Sequence, residues 1–350
     1  MTHSENRKGK KVKTDRTIRG RKSVYSLESL FEKAYNAKVA EGLSQHTLFH
    51  YRHAHSLLLE YLELKGIKPD IRSLTLDICR AFVTWLLEER PKNDGHKFKP
   101  DSDKTPGISP RATNDILKTL RTTFRVLVTD ELITDNPFLN VKNVKEPEKL
   151  IEVLSVDELK ALLNAIDQRE YASFRDYVVI NVCIDTMCRI GEILSLTVDD
   201  VDLTAREIVI KSEITKTRKG RIVPIQQRTA RLLKELMIEV EEFESDYIFL
   251  ANYGEPLTPS HFRKRLAGHA KKAGIKKHIH PHLLRHTAAT LYLEAGGNLR
   301  YLQALLGHVD QRMTSRYTHL SKRSIAENHD QFSPLNQVID KLNKPRKIKR

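Results

Sequence analysis

Helical periodicity runs through most of this chain and constrains its fold more than any other feature. Between Pro110 and Val128, apolar residues share one face at helical spacing. They are Ile116, Leu120, Phe124 and Leu127. The β patterns are few: two β-branched runs at Glu207–Lys211 and Arg221–Ile225 predict a hairpin, and Tyr247–Leu250 predicts one more short strand. The sequence therefore predicts a mainly α fold with a small β-sheet, of the α+β class.

Composition shifts and capping signals predict how the chain is organised. Asn136-Pro137 and the charged run 142–149 indicate a linker, and Ser155 with Glu158 forms a capping-box pattern at the start of a new helix. The predicted segments are a disordered basic arm (1–22), a helical domain (23–138), a linker (139–152), a mixed α/β domain (153–328), and a C-terminal helix with a basic tail (329–350).

Positive charge is concentrated in three regions. The formal net charge is +15; residues 1–22 contribute +7, and residues 341–350 carry six Lys/Arg and no acid. Residues 258–323 add thirteen Lys/Arg against two acids. Such clustering is typical of a protein that binds a polyanion. The alternative is a solvated surface with charged tails.

Other classes of protein are disfavoured. No apolar run approaches 18 residues, so we expect no membrane span. Three cysteines without C-x-x-C spacing argue against a disulfide scaffold or thiolate zinc site, and they suggest reduced core cysteines in a cytoplasmic protein. His282 and His286 are four residues apart, but Leu-Leu-Arg lies between them, with no glutamate base and a cation that would repel a metal. We therefore expect no metal.

Several basic residues are candidates for contacts with DNA phosphates. Lys118, Arg121 and Arg125 lie on another face of this helix, where they could equally form an ordinary hydrated surface. The other candidates are Arg111, Lys219, Arg263 and Lys264.

Two arginines and one tyrosine predict chemistry on a phosphodiester. Such a transfer needs charge neutralised on two non-bridging oxygens and a nucleophile in line with the leaving group. Arg189 and Arg285 are predicted to bind the phosphate, because a guanidinium fork contacts two oxygens and stays charged. Tyr317 is the predicted nucleophile. Taken singly, each would more often be a surface arginine or a packed aromatic.

The same chemistry needs groups that move protons. His282 is predicted to accept the proton of the tyrosine, and His308 to hydrogen-bond the phosphate or the developing charge. Lys216, in the hairpin turn, is the candidate acid for the leaving 5′-oxygen, with Lys219 as the alternative.

These segments together resemble the tyrosine recombinase (phage integrase) family over about residues 25–325. The resemblance rests on C-R-I-G-E-I-L-S-L at Arg189, Lys216 eight residues before Pro224, H-L-L-R-H, L-L-G-H ending at His308, and Tyr317 nine residues later. One departure is Thr186-Met187-Cys188, where the family often has Thr-Gly-Leu.

The resemblance implies an enzyme that breaks and rejoins DNA through a 3′-phosphotyrosine, without metal or nucleotide cofactor. Glu192 would support the first arginine. It also implies a C-shaped clamp with a helical core-binding domain and a catalytic domain, four copies acting on two duplexes through a Holliday junction, and a C-terminal segment that docks on a neighbouring subunit. The leading hypothesis is a site-specific recombinase that serves as the integrase or transposase of a mobile element. We expect it in a prokaryotic cytoplasm, associated with the nucleoid. The alternatives are a type IB topoisomerase and a non-catalytic DNA-binding accessory factor.

Overall fold

The computed structural model describes residues 26–92, 105–147, 152–215 and 218–307, together with Thr314 and Tyr317. It contains two compact units, which divide between Glu148 and Lys149. The basic arm (1–22) and the C-terminal segment (329–350) lie outside the described residues, so their predicted roles stay predictions.

The first unit is built from helices. They are α1 (Leu27–Ala40), α2 (Gln45–Leu64), α3 (Leu76–Glu88) and α4 (Pro110–Thr129). Each begins at a Ser or Thr whose hydroxyl accepts a hydrogen bond from a backbone N–H of the first turn: Ser26, Ser44, Thr75 and Ser109. These caps satisfy donors that have no partner within the helix. The predicted helix from Pro110 is confirmed.

Aromatic side chains fill the core of the first unit. Phe82 and Phe124 are fully buried, and each packs against Phe138 from the segment that follows α4. His55 stacks on Phe31 with ring centroids 4.2 Å apart and hydrogen-bonds the Thr123 hydroxyl at 2.8 Å. Burial lowers the pKa of His55 to about 4, so this imidazole is a neutral core residue.

The second unit is mixed. Its helices are α5 (Val156–Asn164), α6 (Tyr171–Thr186), α7 (Ile190–Leu194), α8 (Gln227–Val240), α9 (Pro259–Lys272), α10 (Pro281–Glu294) and α11 (Leu299–Leu306). Its strands β1 (Val201–Asp202), β2 (Glu207–Ile210) and β3 (Arg221–Pro224) form one antiparallel sheet in that order. The predicted hairpin is confirmed, with Ile208 opposite Val223. The capping box of Ser155 and Glu158 is confirmed as well.

The predicted strand at Tyr247–Leu250 is wrong. This segment makes only isolated bridges, from Tyr247 to Thr197 and from Leu250 to Pro256. Ile248, Phe249 and Leu250 are buried, whereas Tyr247 is exposed. Each end of the segment forms a single bridge, so no continuous ladder of paired residues forms.

Helix α6 is the centre of the second unit. As its apolar sequence predicts, Tyr177, Val178, Val179 and Ile180 are buried. It also buries Asp176, which accepts hydrogen bonds from Arg175, Arg265 and His269. These pairs join α6 to α9 and compensate the carboxylate for lost hydration. Within the described residues, no helix combines the length and apolarity needed to cross a bilayer.

Candidate active site

Arg189 and Glu192 form a closed pair at the start of α7. The backbone N–H of Arg189 donates to one carboxylate oxygen of Glu192 at 3.0 Å, and its guanidinium donates to the other at 2.9 Å. The Glu192 side chain is 1% exposed, whereas that of Arg189 is 22% exposed. The carboxylate therefore fixes the arginine from the protein side and leaves part of the guanidinium accessible.

Met187 connects α6 to this pair through an unusual backbone conformation. It caps α6 in the left-handed region, with φ 54° and ψ 23°, and is 4% exposed. A side chain costs energy in that region, where glycine is the usual residue. The conformation leaves the Met187 carbonyl to accept a hydrogen bond from Nη1 of Arg285 at 2.7 Å.

Arg285 is held on both sides by backbone carbonyls. Besides Met187, its guanidinium donates to the Leu306 carbonyl at 2.7 Å, and the residue is only 5% exposed. Burial, and then the positive charge of Arg189, lower the pKa of Arg285 to about 10. Negative charge on Glu192 or Tyr317 raises the pKa of Arg285, so Arg189, Glu192 and Tyr317 all lie within electrostatic reach of this guanidinium. Two neighbouring guanidinium groups favour an anion between them.

Tyr317 is buried beside α10. Its hydroxyl hydrogen-bonds Nδ1 of His286 at 2.7 Å, and only 1% of the residue is exposed. It belongs to an apolar cluster that also contains Met187, Leu302 and Leu306. Because so little of Tyr317 is accessible, its oxygen can meet an external phosphodiester only after a local shift.

His282 has a different environment from His286, one helical turn away. It is exposed on the first turn of α10. Partial desolvation, followed by the positive charge of Arg285, lowers its pKa. A neutral, exposed imidazole near the two arginines suits a contact with a bound phosphate.

Arg221 is a residue that the sequence analysis missed. Its guanidinium donates to Glu192 at 2.7 Å and to the Leu305 carbonyl at 3.1 Å, and its side chain is 12% exposed. It thereby joins β3, the strand after the hairpin turn, to both α7 and α11. Its place at the start of the R-I-V-P-I strand was visible in the sequence, but its partner 29 residues upstream was not.

Apart from Arg121, the remaining candidates fall into two groups. Lys216 and His308 lie outside the described residues, so their positions stay predictions. Lys219, Arg263 and Lys264 are exposed, as are Arg111, Lys118 and Arg125 in the first unit. Their contacts with DNA also stay predictions.

Arg121 makes contacts within its own unit that the sequence analysis did not foresee. Its guanidinium donates to the Phe138 and Val141 carbonyls and to the Asn143 side chain at 2.8 Å. These bonds satisfy the carbonyls of the segment after α4. These bonds assign Arg121 to holding that segment against the helix, and its predicted contact with DNA stays a prediction.

Among the described residues, no group of three or more His, Cys, Asp or Glu side chains is arranged to hold a metal ion. Cys79, Cys183 and Cys188 are buried and free of disulfides. Burial raises the pKa of Cys79 to about 12 and also raises that of Cys188, so these thiols are poor nucleophiles.

Comparison with known sequences identifies close relatives. The phage integrase family model matches residues 152–324. The tyrosine recombinase XerD of Listeria innocua is 30% identical over 302 residues, covering 85% of this chain and 95% of that protein. The tyrosine recombinase XerC of Bacillus subtilis is 30% identical over 294 residues, covering 79% of this chain and 95% of that protein.

Solved structures share the fold. The Tn1549 transposon integrase in complex with transposon right end DNA matches 89% of this chain and all of that chain, with a TM-score of 0.68 and 18% identity. A lambda integrase dimer bound to a COC′ core site matches 87% of this chain and 80% of that chain, with a TM-score of 0.65 and 19% identity. With relatives that align over nearly their whole length, the chain belongs to the phage integrase family of tyrosine recombinases, enzymes that cut and rejoin DNA.

Proposed function

We propose that this protein is a site-specific DNA recombinase, acting as the integrase or transposase of a mobile element through a covalent 3′-phosphotyrosine. The observation that carries the proposal is the grouping of Arg189, Arg285 and Tyr317. Two guanidinium groups lie within electrostatic reach of each other and of one phenol. The match to the phage integrase family supports the role in a mobile element.

The two arginines bind the scissile phosphate. Their mutual repulsion is relieved when a phosphate enters, and it is relieved further as negative charge grows on the phosphate oxygens in the transition state. Glu192 keeps Arg189 oriented, and the carbonyls of Met187 and Leu306 do the same for Arg285. Because the side chains are held before DNA arrives, little ordering is needed at the moment of reaction.

Tyr317 attacks the phosphorus, and the 5′-oxygen leaves. The bond from phosphorus to the 5′-oxygen breaks as the bond to the phenol oxygen forms, and Lys216 gives the leaving oxygen its proton. The phenol gives up its proton to an imidazole of α10 as it attacks, and His282 and His308 hydrogen-bond the phosphate. The ester retains the energy of the broken bond, so the free 5′-hydroxyl of another strand can reverse the attack without a cofactor.

Double-stranded DNA is the proposed partner. The exposed cations Arg111, Lys118, Arg125, Arg263 and Lys264 would contact its backbone, and the basic segments 1–22 and 341–350 would add to the long-range attraction. The named DNA complexes of the transposon integrase and of lambda integrase fit this partner. We further propose that four copies assemble on two duplexes and that residues 329–350 dock on a neighbouring copy.

Covalent capture tests the nucleophile. A pool of nicked duplexes with a randomised core traps protein on DNA when the short leaving strand diffuses away. Tyr317→Phe should abolish the trapped product and leave DNA affinity within about tenfold, or ~1.4 kcal/mol. Tyr301→Phe, at an exposed tyrosine on α11, is the matched control and should react like the unchanged protein.

The trapped DNA also tests the finer proposal. Sequencing it gives the target and the phosphate attached to the protein. Undiminished product from Tyr317→Phe would refute the assigned nucleophile. Relaxation of plasmid DNA with no recombinant product would refute recombination in favour of topoisomerase activity.

A further inference from the structure

His286 is the imidazole that meets the reactive phenol. Its Nδ1 lies 2.7 Å from the hydroxyl oxygen of Tyr317, and the two rings are tilted by 45° with centroids 5.5 Å apart. That distance is typical of a good O–H···N hydrogen bond, in which the neutral imidazole accepts and the phenol donates. The sequence analysis gave His286 no role beyond a rejected metal site.

The two histidines of α10 face different partners. His282, on the first turn, is exposed among the cations Arg189, Arg263 and Arg285. His286, one turn later, is half-buried and bonded to Tyr317. A group that takes a proton must be within hydrogen-bond reach of it. His286 satisfies this condition, and the exposed position of His282 suits contact with the phosphate instead.

We propose that His286 is the general base that accepts the proton of Tyr317, a catalytic residue in addition to the set inferred from the sequence. The proposal rests on the proposed function, since it requires Tyr317 to be the nucleophile. As the phenol oxygen bonds to phosphorus, its O–H bond breaks and the proton passes to Nδ1 of His286. The electron pair of the broken P–O bond leaves on the 5′-oxygen, which is protonated by Lys216. In the reverse attack, His286 returns its proton to the departing phenol, so no proton is gained or lost over the cycle.

The surroundings of His286 fit this task. Arg285 precedes it in the chain, and Nδ1 of His286 is already paired with the phenol hydroxyl as the acceptor of a hydrogen bond. When the phosphate occupies the arginines, its negative charge offsets theirs and the imidazolium becomes less costly. One rigid helix thus carries both a phosphate ligand and the base, which fixes their separation.

The local shift that Tyr317 requires must keep this pair together. Residue 317 is buried in the cluster with Met187 and Leu306. A movement of the phenol toward the phosphate that retains the bond to His286 delivers an oxygen that is already hydrogen-bonded to its base.

Substitutions at His286 separate the transfer of a proton from mere packing. His286→Phe keeps an aromatic ring without an acceptor. In His286→Asn, the amide oxygen takes the place of Nδ1 but cannot take the proton. Single-turnover capture on the nicked pool should slow by about 100-fold or more in both variants, in line with the usual contribution of a general base. DNA affinity should change less than twofold. His278→Phe, at an exposed position before α10, is the matched control and should react normally.

Chemical rescue supplies the second measurement. Added imidazole should restore capture in His286→Gly at least about tenfold, which a purely structural role would not produce, and a thermal melt checks that each variant is folded. Capture at the normal rate in His286→Asn and His286→Phe would overturn the proposal, as would faster capture, which would mean that the bond restrains the tyrosine. Failure of rescue in a folded His286→Gly protein would also count against it. Failure of the proposed function is distinct, because Tyr317→Phe would then still be captured.

Discussion

Because the backbone of Met187 is left-handed, we predict that glycine at this position gives a more stable protein than alanine does, the reverse of the usual order in a helical protein. Met187→Ala removes a side chain that is 4% exposed, and a large-to-small change of this kind in a core costs about 2–5 kcal/mol. The alanine keeps its Cβ at φ 54°, where an L-residue is strained by roughly 1–2 kcal/mol. Met187→Gly makes the same cavity and removes the strain, although the flexibility of glycine in the unfolded chain opposes this gain by about 0.4–1 kcal/mol. The glycine variant should therefore be more stable than the alanine variant by about 1 kcal/mol.

Urea unfolding of the full chain measures this difference. With a slope of roughly 1–3 kcal/mol per molar urea, a gap of that size separates the midpoints by about 0.3–1 M when backbone circular dichroism is followed. The only tryptophan, Trp85, lies in the first unit, so its fluorescence is an internal control that should change little. An alanine variant as stable as the glycine variant, or more stable, would show that residue 187 does not adopt the left-handed conformation.

Two further predictions concern charge. Burial opposes the ionised form of Glu192, but the bonds from Arg221 and Arg189 outweigh it and hold the pKa of this carboxyl below 4.5. The contribution of this ionised carboxylate to the free energy of unfolding is therefore fully present above pH 4.5 and is lost as the pH falls below that value. Glu192→Gln and Arg221→Met should each reduce the fall in the urea midpoint between pH 6 and pH 3. A fall as large as that of the unchanged protein, in either variant, would contradict the pairing. Deleting residues 1–22, which carry a net +7, should weaken DNA binding and make the dependence of the affinity on salt concentration less steep. Fluorescence anisotropy from low to high salt measures both effects. An equal salt dependence would mean that this segment makes no phosphate contacts.

Much of the fold could be predicted because its signals are local. The cap at Ser44, the capping box at Ser155 and the proline at the start of α9 act within a single turn of helix. The hairpin of β2 and β3 likewise follows from two β-branched runs close together in the chain. Tyr247–Leu250 carries the same local pattern but forms no strand, because the core gives it no continuous neighbouring strand. A strand depends on its partner, whereas a helix makes its own hydrogen bonds.

For the site, the sequence by itself determined which chemical groups are available: two arginines, a tyrosine and several histidines at family spacing. Only the tertiary structure decided their partners. It brought Arg221 to Glu192, placed the Met187 carbonyl against Arg285, engaged Arg121 within its own unit, and set His286, rather than His282, on the phenol of Tyr317. The physical reason is that a hydrogen bond depends on atomic positions to within a few tenths of an ångström. Those positions are set by the packing of helices far apart in the chain, which no pattern of neighbouring residues specifies.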